Sequence, residues 1–290
     1  MRQVRLRPSI LLAFAALALA AAGLVGVVAY YTTAGKWVDG NALGGFASLK
    51  YSPGIHEAAA TFARSADVLP FAVFTIALLG TALVARGPRR AGSVAILLAG
   101  ANLSCAVLKP NLFPARNTEN WTSVPHLPVP SFPSGHATAS MSLALAAVLV
   151  APRAYRPLVS ALGVIYTVAV GLALPILIWH YPSDVAGGYL LAGAWSLIAL
   201  AAERAAAQRW PEPGTIRGAA WRALGPPSRA AVALVTALAA LAAITLAAPR
   251  ADQIAAYADA HTTVVVVAAS LTACAAAVLG AVVAIANRRG

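Results

Sequence analysis

Residues 126–140 read HLPVPSFPSGHATAS, and the way this stretch meets its surroundings decides the fold. Three prolines and two histidines give way, directly after His136, to the apolar run Ala137–Val150. A tight polar turn at the mouth of a hydrophobic segment calls for a reason, and the rest of the chain narrows the choice. Similar apolar runs recur at Ile10–Ala29, Leu69–Ala85, Gly92–Leu108, Pro157–Trp179, Val185–Ala202, Ala230–Ala247 and Thr262–Ala286, making eight. A helix needs about 20 apolar residues, or as few as ~17, to cross the hydrocarbon of a bilayer. The run after the PSGH turn is shorter, and it spans only if SFPSGH lies at the membrane surface.

With 60% apolar residues and 10% charged over 290 positions, the chain has more hydrophobic surface than one water-soluble core needs. The expected fold is all-α, a polytopic transmembrane helical bundle. Its expected organisation is a six-helix core over 1–203, a cytoplasmic basic linker over 204–229, and two additional transmembrane helices over 230–290. The opening MRQVRLRP followed by an apolar stretch has the order of a signal peptide. That stretch is longer than a usual signal core and ends without an A-x-A site, so it is read as a retained signal anchor.

Alternating the spans from a cytoplasmic N-terminus tests this topology with charges that played no part in drawing it. Fifteen of the 21 basic residues fall on the inner side, and Lys36, Lys50, Arg64, Lys109, Arg116 and Arg250 fall outside. That bias is the positive-inside rule, and a bacterial plasma membrane is the expected location. The formal charge of +12 therefore reflects topology and anionic inner-leaflet lipid, and with no aromatic-basic pattern no nucleic-acid partner is expected. All five histidines, His56, His126, His136, His180 and His261, fall on the outer side. The stretch SPGIHEAAATFARSA within 30–68 is read as a helix along the outer surface. Neither it nor the inner segment 203–229 is long or apolar enough for a separate domain.

Cys105 and Cys274 lie inside apolar spans with no C-x-x-C and no neighbouring histidine, so they are read as small buried hydrophobes, and no metal or cofactor is expected. Asn102 and Ser104, inside the third span, fit interhelical hydrogen bonds. Trp121 and Trp179 fit interfacial anchors, and His126 a solvated loop residue.

Three groups of residues then stand at the outer ends of the helices. Lys109 and Arg116 lie in KPNLFPAR after the third span, Pro133-Ser134-Gly135-His136 opens the fourth, and HYPSD (His180–Asp184) joins the fifth to the sixth. In order and placement they resemble the three blocks of the type 2 phosphatidic acid phosphatase superfamily, Lys-x6-Arg-Pro, Pro-Ser-Gly-His and Ser-Arg-x5-His-x3-Asp. The resemblance covers roughly the first six spans. Two positions depart from the pattern: Asn117 stands in place of proline, and Ala173-Leu174 in place of Ser-Arg, so one cationic phosphate clamp is missing.

The residue types suit phosphoryl transfer, in which negative charge spreads over equatorial oxygens and is met by pre-placed donors and cations. Lys109 supplies a point charge and Arg116 a planar fork. Ser134 and Gly135 precede a helix, where free N–H groups and the dipole form an anion site. What the resemblance implies is a phosphohistidine mechanism: His180 attacks phosphorus, His136 protonates the leaving oxygen, and Asp184 orients His180. Pro182 suits a helix start, putting Asp184 in the first turn, where it can also act as a cap.

The expected function is that of a metal-independent membrane phosphatase with an extracytoplasmic site. Its substrate would be a lipid phosphate or pyrophosphate of the polyprenyl (for example undecaprenyl) pyrophosphate or phosphatidic acid type. Two alternatives stay open. One is a lipid phosphotransferase; the other, motivated by Leu174, is a non-enzymatic lipid-phosphate binder or transporter. The two C-terminal helices leave homo-oligomerisation open.

Overall fold

A computed structural model describes residues 7–116, 127, 129–210 and 250–287. Among these the chain is helical and without strands. In order, the helices are α1 (Pro8–Tyr31), α2 (Thr33–Ser48), α3 (Pro53–Arg64), α4 (Val68–Arg86), α5 (Pro88–Asn111), α6 (Gly135–Val150), α7 (Arg156–Ile176), α8 (Pro182–Arg209), α9 (Ala251–Ala260) and α10 (Thr262–Asn287). Six of them, α1, α4, α5, α7, α8 and α10, are long and apolar enough to cross a membrane, and α6 is a shorter apolar helix. The chain is a multi-pass membrane protein. Seven of the eight expected spans are thus present as helices; the eighth, Ala230–Ala247, lies outside the described residues, as do most of the basic linker, Trp121 and His126.

The helices start and stop where local chemistry dictates. Pro8, Pro53, Pro88 and Pro182 all sit in first turns, where the missing N–H costs nothing. Between α4 and α5 only Gly87 intervenes, at φ 91°, a left-handed backbone for which glycine carries no steric cost. That tight turn folds α5 back along α4.

Helix α8 is the central member, packing on α1, α5, α6 and α10. Its run of small residues, Gly187, Gly188, Ala192, Gly193 and Ala194, lets neighbouring backbones approach closely, the usual basis of helix association where lipid removes the hydrophobic driving force. Helix α6 is buried along nearly its whole length. Its 16 residues rise only about 24 Å, and α4 matches it at both ends: Asp67 meets His136 at one, and Arg86 Nε donates to the carbonyl of Val150 at 2.9 Å at the other. The expected interhelical bonds are present, Asn102 to Ser142 at 3.1 Å and Trp195 Nε1 to Ser104 at 2.9 Å. Cys105 is buried and Cys274 partly so.

The two ends of the bundle differ in chemistry. One carries Arg86, Arg90, Arg156 and Arg204, several of which cap helix C-termini: Arg156 and Arg204 donate to the carbonyls of Ala286 and Ile285 at 2.7 and 3.0 Å, and Arg90 pairs with Glu203 at 2.9 Å. Cations at helix C-termini offset the dipole there. The other end carries His56, His136, His180 and His261. Helix α10 is joined to the same hydrophobic core as the expected six-helix unit through Val264, Val267, Leu271, Ala275, Leu279 and Val282, packing on α7, α8 and α2. The expected linker begins as a helical extension of α8, which runs to Arg209.

The segment between α1 and α4 holds two helices where one was expected. Helix α3 covers most of the anticipated SPGIHEAAATFARSA stretch, and α2 precedes it, burying Asp39, Ala42, Leu43, Phe46 and Ala47.

Candidate active site

At the histidine end, α7 closes with a backbone motif that sets the position of His180. The N–H of Trp179 reaches the carbonyl of Leu174 at 2.9 Å, and that of Ile178 the carbonyl of Pro175 at 3.1 Å. These are the paired bonds of a Schellman ending, whose left-handed residue is usually glycine. Here it is Ile178, at φ 63°. A β-branched residue in that region costs on the order of 1–2 kcal/mol; Ile178 is held by packing on Leu43, Leu127 and Tyr181. Strain is therefore stored two residues before His180.

The chain then starts α8 at Pro182, as the sequence predicts. Asp184 carries three tasks in its first turn. Its Oδ2 accepts from the N–H of Tyr181 at 2.9 Å, completing a capping box, and faces Nδ1 of His180 at 3.4 Å; Oδ1 lies 3.5 Å from Nη2 of Arg116. His180 is 4% exposed. Burial lowers its pKa below the ordinary imidazole value, against the pull of Asp184 and with help from Lys109 and His136. The ring is thus held neutral. Nδ1 faces Asp184, which leaves Nε2 with the free lone pair.

The PSGH turn is tied to the same place. The N–H of Ser134 donates to the carbonyl of Asp184 at 2.9 Å, and Ser134 Oγ caps α6 by accepting from Ala137 N at 3.3 Å. Gly188 of α8 permits this approach, since a Cβ there would stand 2.8 Å from the carbonyl oxygen of Ser134. Beside Gly135 the space is open, with nothing within 4 Å of where a Cβ would be. An anion placed there would meet the unpaired N–H groups of the first turn of α6. Lys109, in the last turn of α5, is near enough to His180 to oppose its protonation.

His136 lies between Asp67, which the sequence did not mark, and Trp179, which it marked only as an interfacial anchor. Its Nε2 is 2.9 Å from Oδ1 of Asp67, at the start of α4, and its ring centroid is 5.4 Å from that of Trp179.

Arg116 is placed differently from the expectation of a free phosphate fork. It is 7% exposed, and its Nη1 pairs with Asp39 Oδ2 at 2.7 Å while Nη2 donates to Ser183 Oγ at 2.7 Å. Its guanidinium lies between the rings of Tyr30 and Tyr181, 4.2 and 4.0 Å from their centroids. Burial works against the charge, yet Asp39 and Asp184 outweigh it and hold the Arg116 pKa above its ordinary value. Asp39 also accepts from Ser183 N at 3.1 Å and Ser183 Oγ at 2.5 Å. Burial raises the Tyr181 phenol to about 12. Leu174, where the third block would have arginine, is fully buried in the apolar core.

The three blocks therefore meet at one end of the bundle, and the sequence missed Asp39, Asp67, Tyr30, Tyr181 and Ser183. Asp39 and Asp67 had one signal: they are two of only nine acidic residues in the chain. Among the described residues no group of three or more His, Cys, Asp or Glu has the arrangement of a metal site.

Comparison with solved structures finds a transmembrane PAP2 type phosphatidylglycerolphosphate phosphatase from Bacillus subtilis, 20% identical, covering 67% of this chain and 94% of that one, at a TM-score of 0.46. Comparison with curated proteins finds no match. The family model of the PAP2 superfamily matches residues 91–207, the segment that contains all three blocks. This membrane protein thus carries, over residues 91–207, a segment that matches the PAP2 superfamily.

Proposed function

We propose that the protein hydrolyses a lipid-borne phosphate or pyrophosphate ester at the extracytoplasmic face of a plasma membrane, through a phosphohistidine on His180. The observation that carries this reading is the buried, neutral His180 beside Asp184, joined to the PSGH turn through the Ser134–Asp184 backbone bond. The Nε2 lone pair of His180 attacks the terminal phosphorus, the P–O bond to the alcohol, or in a pyrophosphate to the bridging oxygen, breaks, and His136 gives its proton to the departing oxygen. Water then attacks phosphorus, gives a proton to His136, and the P–N bond breaks, releasing phosphate. Asp184 stabilises the imidazolium formed in the first step. Lys109, the N–H groups around Gly135 and the capped turn at Ser134 hold the phosphoryl oxygens; Arg116 joins them only by exchanging Asp39 for phosphate. A bilayer position suits a substrate whose tail stays in lipid while its head group reaches this end, and the arginine-rich opposite end supports an outward-facing site.

The test is phosphate release from phosphatidic acid and polyprenyl pyrophosphate in detergent with EDTA present, expected for wild type and abolished by His180→Ala. Acid-labile, alkali-stable phosphate on the protein is expected under single-turnover quench. Binding of these lipids without release, across lipids and pH, would overturn the hydrolytic reading in favour of a binder. Appearance of a phosphorylated alcohol in place of free phosphate would favour a transferase.

A further inference from the structure

The blocks of the family assign no partner to the second histidine, and the geometry around it supplies one. Asp67 begins α4 at the N-cap position, yet its side chain makes no capping bond. Its carboxylate is turned instead to His136, with Oδ1 2.9 Å from Nε2. The corner between α3 and α4 that carries it is fixed independently of that contact. Ala66 packs with Ala139 and Val170, and Ser65 Oγ bonds the carbonyl of Phe62 at 2.6 Å and Tyr166 OH at 3.3 Å. Trp179 bounds the imidazole elsewhere.

We propose that Asp67 is the positioning residue of His136, a role that rests on the hydrolytic reading given above. By accepting the Nε2–H, Asp67 fixes the ring and leaves Nδ1 as the nitrogen that exchanges protons with the reacting group. In the cation, Nδ1–H is delivered to the leaving oxygen; in the neutral ring that results, Nδ1 has the lone pair that takes the proton of the attacking water. The two histidines then work with opposite nitrogens: His180 gives Nδ1 to Asp184 and acts through Nε2, and His136 gives Nε2 to Asp67 and acts through Nδ1. The His180–Asp184 pair is local, four residues apart at the start of α8, whereas His136 and Asp67 lie 69 positions apart, so the second pair depends on the corner between α3 and α4 delivering Asp67 to α6.

The experiment compares kcat/KM for an alkyl phosphate, whose alkoxide needs a proton to leave, with 4-nitrophenyl phosphate, whose phenolate does not. This parameter reports every step through departure of the alcohol. Asp67→Ala is expected to lower it at least about tenfold more for the alkyl ester than for the nitrophenyl ester, within the range of general acid catalysis. Asp67→Glu, which restores a carboxylate, is expected to recover part of the difference. Equal losses on both esters, or none on either, would overturn the proposal. Should wild type release phosphate from neither ester nor from the lipids named above, the hydrolytic reading fails first; in either case ring 15N shifts of His136 still decide the positioning claim. A protonated Nε2 in the neutral ring of wild type, lost in Asp67→Ala, supports it; the Nδ1–H tautomer in wild type rejects it.

Discussion

Arg116 and Asp39 form a buried ion pair, 2.7 Å from Nη1 to Oδ2, clamped between the rings of Tyr30 and Tyr181. The pair links α2 to the loop after α5, and through Ser183 and Asp184 it also reaches the first turn of α8. Removing one partner leaves the other charge buried, which costs about 3–5 kcal/mol. Asp39→Asn and Arg116→Ala are therefore each expected to lower the thermal midpoint in detergent by many degrees. Arg116→Lys should recover little, because an ammonium offers neither the planar fork that reaches Asp39 and Ser183 together nor the face that stacks on tyrosine. A lysine variant as stable as wild type would show that the pair is not what holds α2 in place.

The protonation of His180 makes a pH prediction with a definite sign. Burial first, then Lys109 and His136, hold its folded pKa below the unfolded value of about 6.5. As pH falls through 6.5 the unfolded chain takes up a proton that the native ring refuses, so this group lowers stability from there down to its folded pKa. His180, the proposed nucleophile, for the same reason stays unprotonated in the native protein as the pH falls just below 6.5. The acid limb of kcat/KM assigned to His180 is expected below pH 6.5, and replacing it should flatten the stability profile across that interval. An acid limb above 6.5 would contradict the burial argument.

Leu174 occupies the position at which the family pattern has a cation, and the fold explains why restoring it should fail here. The side chain is fully buried in the main apolar core, and its carbonyl receives the N–H of Trp179 in the ending of α7. An arginine there would bring an unpaired charge into that core, at a cost of several kcal/mol. Leu174→Arg is expected to lower yield and thermal stability without raising phosphate release. A folded variant with higher activity would show that the core yields and that the pocket still accepts the third cation.

Much of this could be read from the chain because two strong signals coincide. Runs of apolar residues fix membrane helices irrespective of partners, and the PSGH and HYPSD blocks sit where Ser134 and Pro182 start helices by local chemistry alone. What stayed hidden depends on contacts between distant residues. Asp39 lies 77 positions from Arg116, and Asp67 lies 69 from His136, so no local pattern marks either pair. Arg116 read as a free fork because its charge was visible and its buried counter-ion was not. Helix α2 was missed since its alanines and glycines show no apolar run, and it becomes legible only once α10 and the loop after α5 pack against it.

Gly188 offers the sharpest test of how closely the PSGH turn depends on its backing helix. An added Cβ would stand 2.8 Å from the carbonyl oxygen of Ser134, 3.0 Å from the N of Thr138 and 3.0 Å from Ala137 Cβ, two of which are backbone atoms with no room to swing away. The turn must then shift by some tenths of an ångström to about one, carrying His136 and the N–H groups beside Gly135 away from His180. Misplacement on that scale costs up to about a hundredfold in rate. Gly188→Ala is expected to lower kcat by roughly 10- to 100-fold. Gly80→Ala, on α4 with open space beside it, serves as the control and should leave kcat unchanged. Equal activity in the two variants would mean that α8 does not set the position of the turn.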